Sequence, residues 1–487
     1  MESRPGHYSA PDSYRNLDEA TPPPLHDVDQ ELADLSPHTS SRLSRAASAR
    51  DSRNVRRQSQ VSYDVPDSYT NLDEVTSPSP LQNPDEQSIH RYVSLEQVRT
   101  RELEYTRDEE RQRPAPQPPE TQPEKGPDKT SVSRLATEIY TVSYLVLFSM
   151  LGTLARLGLQ ALTTYPGMPI TFPSIWPNFA GSLIMGFLAE DRMLFRLVTP
   201  PSTPLPSPDR SDPEEDSEES RTAAAKKAHA ALKKTIPLYI GMATGFCGSL
   251  TSFSSFMRDL FLALSNDLSP PSAPRNGGYS LASLLAVLIT TISLSLSGLF
   301  IGAHLAVSLE PLVPSIPFRL ARRILEPLSV ILALLAWLAI LFLTIFPPSD
   351  TSRGIATFPL LLAPPGCLLR FYLSLKLNGR MASFPLGTFV VNILGTAVLG
   401  MAFDLQHVPP LGGTVGCQVL QGVQDGFCGC LTTVSTWVAE LAALRRRNAW
   451  VYGGVSVGVG LGVLVAIMGS VRWGRGEFAE VLCVHSF

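Results

Sequence analysis

Two arginines, Arg156 and Arg370, stand inside long apolar runs, each four residues after a glycine, Gly152 and Gly366. An arginine at membrane depth costs about 3 kcal/mol or more, so it is kept either for function or to satisfy the carbonyls of a broken helix. Two asparagines, Asn178 and Asn392, lie among glycines and apolar residues in the same way. A buried amide needs partners. Its NH2 offers two donors, which suit either an anion in a narrow passage or a polar clasp between helices. The third constellation is Gly245-Phe246-Cys247-Gly248-Ser249-Leu250-Thr251-Ser252-Phe253-Ser254-Ser255-Phe256. Its Gly248–Ser252 stretch is a poor helix former, which at membrane depth implies a break whose freed carbonyls are met by protein or by a cation. Thr251, Ser252, Ser254 and Ser255 supply hydroxyl donors. Phe253 and Phe256, three apart, share a helical face. A ring edge is positive and the face negative, so edges turned to a lumen could contact an anion.

Each constellation occurs twice. Gly152–Arg156 returns as Gly366–Arg370, and the segment Ser174–Gly186 around Asn178 returns as Thr388–Gly400 around Asn392, both 214 residues later. The third returns 181 residues later as Gly426–Trp437, with Gly429, Thr432, Thr433 and Thr436 at the matching hydroxyl and glycine positions. The smaller offset is what a longer loop after the second apolar segment of the first copy would produce. Matched acids, Asp259 and Glu440, also stand 181 apart; both are expected at the ends of spans.

The elements that must position these residues are apolar segments near the roughly 20 residues that a bilayer core requires. Nine are expected, at 139–162, 173–195, 236–262, 280–308, 326–346, 358–376, 384–404, 413–443 and 449–471. The chain has 487 residues, and its mean hydropathy of +0.08 averages a polar part with a very apolar one. Residues 1–135, rich in Pro, Ser and charge, are expected to form a disordered cytoplasmic tail. A first four-span module then covers 136–310, with an acidic loop at 199–235. A linker with one transmembrane helix covers 311–350, a second four-span module 351–475, and a short tail 476–487. The fold class is therefore an all-α polytopic membrane protein. An odd helix between two four-helix copies turns the second copy upside down, the inverted-repeat plan of many transporters.

Lys and Arg set orientation. With the tail inside, the inner loops hold Arg192, Arg196, Lys226, Lys227, Lys233, Lys234, Arg319, Arg322, Arg323, Lys376, Arg380 and Arg445–Arg447, and the outer ones mainly Arg275 and Arg353. Arg472 and Arg475 follow the last span, giving N-in, C-out. The net charge of −4 says little about partners, and no basic, aromatic-interleaved patch suggests nucleic acid. The six cysteines include no CxxC pair and read as packing residues. The nucleophile and acid–base arrangements of enzymes are absent, so no catalysis is expected. In the tail, Pro11–Glu19 (PDSYRNLDE) recurs as Pro66–Glu74 (PDSYTNLDE), either a duplicated docking peptide or drift after a local duplication. Arg56-Arg57-Gln58-Ser59 has the pattern of a basophilic kinase site, so cytosolic proteins or kinases are candidate tail partners.

The order G-x-x-x-R, then a mid-span Asn followed by Gly, then G-F-C-G-x-L-T, resembles the CrcB/Fluc fluoride channels of bacteria and their fused fungal exporters (Fex). The likeness covers about residues 139–308 and 358–471. It implies two antiparallel modules, fused as a monomeric pseudo-dimer in the lipid bilayer, that form two narrow fluoride pores. Asn178 and Asn392 would then be pore donors, with Ser174 and Thr388 one turn earlier, and with Phe253, Phe256, Ser252, Ser255, Thr433 and Thr436 also on the fluoride path. Backbone carbonyls of Gly248, Thr251, Gly429 and Thr432 would hold a structural sodium ion. The second copy departs from the pattern. Val434 and Trp437 stand where the first has Phe253 and Phe256, and Asp425 stands where it has Thr244. One working pore and one degraded pore are expected.

No nucleotide-binding motif is present, so export would be passive and driven by the inside-negative potential, worth about 2.3 kcal/mol per charge per 100 mV. The site of action would be the plasma membrane and the role fluoride detoxification. The alternatives are a proton-coupled exporter of small cations, which needs a mid-membrane acid such as Asp425, and a non-transporting anchor whose tail recruits partners.

Overall fold

A bilayer core offers the backbone no hydrogen-bond partner, so long apolar runs close their own bonds as helices. In the computed structural model, which describes Tyr69 and residues 134–195, 233–268, 277–317, 320–349, 352–407, 413–475, 478 and 481, every long element is helical. The first motif copy around Tyr14, the Arg56–Ser59 site and most of the acidic loop lie outside the described residues. All described residues belong to one compact unit, Ser59–Phe487.

The first module contains α1 (Arg134–Thr163), α2 (Ile175–Glu190), α3 (residues 237–250), α4 (Phe253–Ser265) and α5 (Gly277–Ser308). The joining helix is α6 (Glu326–Ile345). The second module contains α7 (Phe358–Leu377), α8 (Leu386–Gln406), α9 (residues 413–431), α10 (Ser435–Ala443) and α11 (Arg446–Arg475). The nine apolar segments are therefore not nine equal spans. Six are long, apolar and continuous; α2 has only 16 residues, and the third and eighth segments are each interrupted, as α3/α4 and α9/α10.

The lipid-facing surface is carried by α5, α6 and α11. Leu285, Ile289, Leu334, Leu335, Phe342, Val455 and Val459 are exposed. An apolar face this extensive on a water-soluble protein would be a liability; in a bilayer it is the expected solvent boundary. The linker helix α6 lies on α1. Arg322, in the turn before it, pairs with Glu326 at 3.2 Å and sits 5.7 Å over the Tyr140 ring. Four free cysteines, Cys247, Cys367, Cys428 and Cys430, are buried packing residues, whereas Cys417 is held in a disulfide.

Lys233 is not one of the free loop charges that its sequence neighbourhood suggests. It is buried, 1% exposed, and its ammonium donates to the carbonyls of Leu188 (3.0 Å), Ala189 (3.1 Å) and Asp191. These are orphan carbonyls at the end of α2, which a cation satisfies both by hydrogen bonding and through the helix dipole. Burial lowers the Lys233 pKa to about 8, against the raising effect of Asp191.

In the first module α2 and α5 touch backbone to backbone. Gly298 and Gly302 of α5 form a small-xxx-small face, and Gly186 of α2 opposes it. A side chain at Gly302 would collide with the Leu183 carbonyl, and one at Gly186 with that of Leu299. Gly302→Val should therefore destabilise the purified protein by about 3 kcal/mol. A thermal melt in detergent would show it as a clear loss of Tm, while Gly462→Val, where a Cβ meets nothing within 4 Å, should leave Tm unchanged.

Candidate functional site

The two interruptions face each other at the centre of the molecule. In each module a π-helical turn, Gly241–Cys247 or Val423–Cys428, leads into one last α-turn and then an extended residue. Thr251 has φ −88° and ψ 152°; Thr432 has φ −97° and ψ 154°. The chain then re-enters a helix, α4 or α10. Amides at the start of these second helices have no partner within their own helix.

Their partners come from the opposite module. Thr251 Oγ1 accepts from the amides of Val434 (3.2 Å) and Ser435 (3.1 Å), while Thr432 Oγ1 accepts from the amide of Ser254 (3.1 Å). Each threonine bonds its own carbonyl four residues back, Cys247 at 3.1 Å and Cys428 at 3.0 Å. Thr251 matches Thr432 in the repeat, and Ser254 matches Ser435, so the contact is isologous about a pseudo-two-fold axis.

The arginines obey the same symmetry. Arg156 Nη2 donates to the Asp425 carbonyl, and Arg370 Nη2 to the Thr244 carbonyl at 2.6 Å. Arg156 packs against Gly429 and Arg370 against Gly248, so closely that no side chain fits at either glycine. Arg370 also donates to the Cys430 carbonyl at 2.9 Å. Each arginine thus meets a carbonyl of the other module's π turn, while Arg156 Nε and Nη1 are buried with no hydrogen-bond partner. Asp425 is equivalent to Thr244 only through its backbone. Its carboxylate points elsewhere and accepts from Gln421 Nε2 at 2.5 Å.

Asn178 and Asn392 sit against the breaks. Asn178 Oδ1 accepts from the Ser252 amide and Asn392 Oδ1 from the Thr433 amide, both at 2.9 Å. These amides would otherwise close a helical turn onto the carbonyls of Gly248 and Gly429. The amides four residues after Thr251 and Thr432 likewise go to the Ser252 and Thr433 hydroxyls, at 3.2 and 3.4 Å. The carbonyls of Gly248, Thr251, Gly429 and Thr432 are thereby left without their helical partners. Neutral carbonyl oxygens of this kind are the ligand type that a hard cation takes.

The two asparagines differ in their donors. Asn392 Nδ2 donates to the Thr433 carbonyl at 3.2 Å. Asn178 Nδ2 is buried with no hydrogen-bond partner. Phe253 and Phe256, at the start of α4, are fully buried, edge to face at 5.9 Å and 87°. Trp437 does not merely vacate a phenylalanine position: it packs edge-on against Phe253 at 5.4 Å and 70°. Val434 is also fully buried. Ser252 bonds Ser255 at 2.9 Å, and Thr433 bonds Thr436 at 3.3 Å.

The matched acids stand in α4 and α10, towards the ends of the third and eighth segments, and both are buried there. Asp259 and Glu440 are 1% and 2% exposed. Glu440 accepts from Thr388 Oγ1 (2.5 Å) and Tyr452 OH (2.6 Å), and Asp259 accepts from the Ser174 amide (3.3 Å) with Arg258 at 3.7 Å. Each acid thus sits on the hydroxyl residue one turn before its module's asparagine. The shared offset of 181 was the available signal; burial was not readable because the partners come from three separate helices. Among the described residues no group of three or more His, Cys, Asp or Glu could hold a metal ion.

A pair of inverted modules joined through reciprocally capped broken helices, with buried amide, hydroxyl and aromatic side chains at the breaks, defines a two-module helical membrane protein. The family model described as CrcB-like protein, camphor resistance (CrcB), matches residues 143–302 and 357–470. Fluoride export protein 1 of Neurospora crassa is 59% identical over 87% of this chain and 85% of its own length. Fluoride export protein 1 of Candida albicans is 35% identical over 67% and 78%. The fluoride-specific ion channel FluC of Pseudomonas aeruginosa is 36% identical over 23% of this chain and 89% of its own, as expected for a protein of one module. No solved structure gives a significant match. The chain belongs to the CrcB-like family.

The cross-module caps can be tested directly. Thr251→Val leaves two buried amides without an acceptor and should destabilise by about 2–4 kcal/mol, at 1–3 kcal/mol per unsatisfied group. Thr251→Ser keeps the oxygen and should recover most of the loss in a thermal melt.

Proposed function

We propose that this protein is a fluoride-selective passive channel that exports fluoride from the cytoplasm across the plasma membrane. The relatives named as fluoride export proteins and fluoride-specific channels support the ion, and the absence of any nucleotide-binding motif in the sequence supports the passive mode. The single observation that carries the mechanism is Asn178 Nδ2, a buried donor without a partner, on an amide whose oxygen is held by the Ser252 amide at the break. Fluoride is small and strongly hydrated, so passage requires donors that replace its water. An amide NH2 fixed through its own oxygen to the Ser252 amide is such a donor, already oriented and already desolvated.

The two halves are unequal in this reading. Asn392 has committed its NH2 to Thr433, and Val434 and Trp437 replace the ring pair, so the conducting path is the one that uses Asn178, Phe253 and Phe256. Ser174, Ser252 and Ser255 serve that path, and Thr388, Thr433 and Thr436 are the matching positions on the degraded one. The amino terminus is placed in the cytoplasm and the carboxyl terminus outside, by the Lys/Arg distribution and the odd number of crossings. The fused chain serves as a monomer. HF enters neutral and ionises in the less acidic cytoplasm; the inside-negative potential then drives the anion out.

Gly248, Thr251, Gly429 and Thr432 would hold a sodium ion through their carbonyls, and its part is to screen oxygens that converge between the modules. Replacing sodium by N-methyl-D-glucamine at constant ionic strength should then lower Tm, and returning millimolar sodium should restore it. A Tm independent of the cation would remove sodium from the proposal.

Flux tests the channel itself. The purified protein is reconstituted in liposomes and fluoride efflux is followed by electrode under a potassium/valinomycin potential, with chloride as control. Asn178→Asp places a carboxylate about 4 Å from the anion. At an effective dielectric constant near 20 this opposes passage by about 4 kcal/mol, roughly three orders of magnitude in flux. Asn392→Asp should leave efflux within a few-fold. Equal loss in both variants would mean two equivalent pores, and no potential-driven fluoride efflux from folded wild type would end the channel reading.

A further inference from the structure

One tail residue reaches the membrane domain. Tyr69, in the second PDSYxNLDE copy, is 4% exposed. Its ring meets Phe371 of α7 edge-on at 5.6 Å and 83°. It belongs to a buried cluster that includes Leu145 of α1 and Cys367, Phe371 and Leu375 of α7. Its hydroxyl is hydrogen-bonded to Thr141 of α1. Thr141 donates its own hydrogen to the Thr137 carbonyl at 2.8 Å, so its oxygen is the acceptor and the phenol must donate. Burial, the largest cause, raises the Tyr69 pKa to about 12, so that donor is retained at any physiological pH. The socket is built by both modules: α1 supplies its polar wall and α7 its aromatic wall.

The specificity of the socket is that of tyrosine. It offers an aromatic edge for the ring and one acceptor for the hydroxyl. Phenylalanine would lose the donor, and a phosphotyrosine would bring acceptor oxygens against the Thr141 oxygen. Arg134 and Glu138 of α1 lie within electrostatic reach of the tyrosine. Other residues of the motif lie outside the described part of the structure.

We propose that the PDSYxNLDE copy around Tyr69 is an intramolecular docking motif whose tyrosine occupies this socket, fastening the segment that carries it across the boundary between the two modules. Release of the tyrosine, by modification or by a competing protein, would free the tail and remove a contact that bridges the halves. The inference does not depend on which ion the protein conducts.

The full chain in liposomes carries p-azidophenylalanine at position 69, is irradiated, and is digested for mass spectrometry. Position 69 is expected to label peptides containing Thr141 and Leu145 or Phe371 and Leu375. Label from position 69 confined to tail peptides or lipid would overturn the docking.

Discussion

The structure rests on unpaired backbone amides at the centre of a membrane. Each module breaks one helix at Thr251 or Thr432, and water is not available to the groups this exposes. The amides of Val434, Ser435 and Ser254 find their acceptors on a threonine of the other module. The carbonyls of Thr244 and Asp425 find their donors on an arginine of the other module. A lone module would therefore hold orphaned donors and acceptors in hydrocarbon, each costing several kcal/mol. Pairing completes the backbone of both halves rather than merely adding area to two folded units. The break in turn frees the region around Asn178, Phe253 and Phe256, which an unbroken helix would fill with its own turns.

The way these contacts are made explains how far the two halves have drifted apart. The arginines read carbonyls, so the side chain on that residue is free to change. Asp425 replaces Thr244 without altering the reciprocal pattern, whereas the Arg370 Nε bond to the Cys430 carbonyl has no counterpart at Arg156, whose Nε lacks a partner. The threonine hydroxyls are read directly, and both halves keep them. Val434 and Trp437 are a different case. They stand where side chains face the centre, so their replacement changes the lining while the scaffold is undisturbed. Scaffold and lining are thus held by different kinds of contact, which lets one lining diverge while the fold remains two-fold.

Most of the plan was readable from residues. Apolar runs located the nine segments to within a few residues, and the matched motifs located both breaks and the pseudo-symmetry. The Gly248–Ser252 composition predicted an interruption, and Thr251 and Ser252 are where it falls. What was not legible depends on partners brought by other helices. Nothing local distinguishes an exposed Lys233 from one that caps α2. Asp259 and Glu440 look like exposed span-end acids until α8 supplies Thr388 and α11 supplies Tyr452. The role of Arg156 and Arg370 was open in the sequence because a guanidinium serves anions and carbonyls equally well. Likewise, the asymmetry between Asn178 and Asn392 is invisible in two identical residue types; it lies in where each NH2 points.

The linker helix α6 follows from the same constraint. Four crossings return a chain to the face where it started, so two modules fused directly would stand the same way up. Two parallel copies cannot exchange reciprocal contacts about an axis in the membrane plane. The pairing of Arg156 with the Asp425 carbonyl and of Arg370 with the Thr244 carbonyl requires such an axis. One extra crossing supplies the inversion, and the composition of α6 agrees with so limited a role. Much of its surface is exposed apolar side chain, including Leu334, Leu335 and Phe342. Arg322 over the Tyr140 ring of α1 and the Trp337 bond to the Leu361 carbonyl of α7 fasten it to its neighbours at the edge. Its sequence is free to vary so long as it remains one apolar crossing, whereas the central threonines and arginines are fixed by the groups they must satisfy in the opposite half.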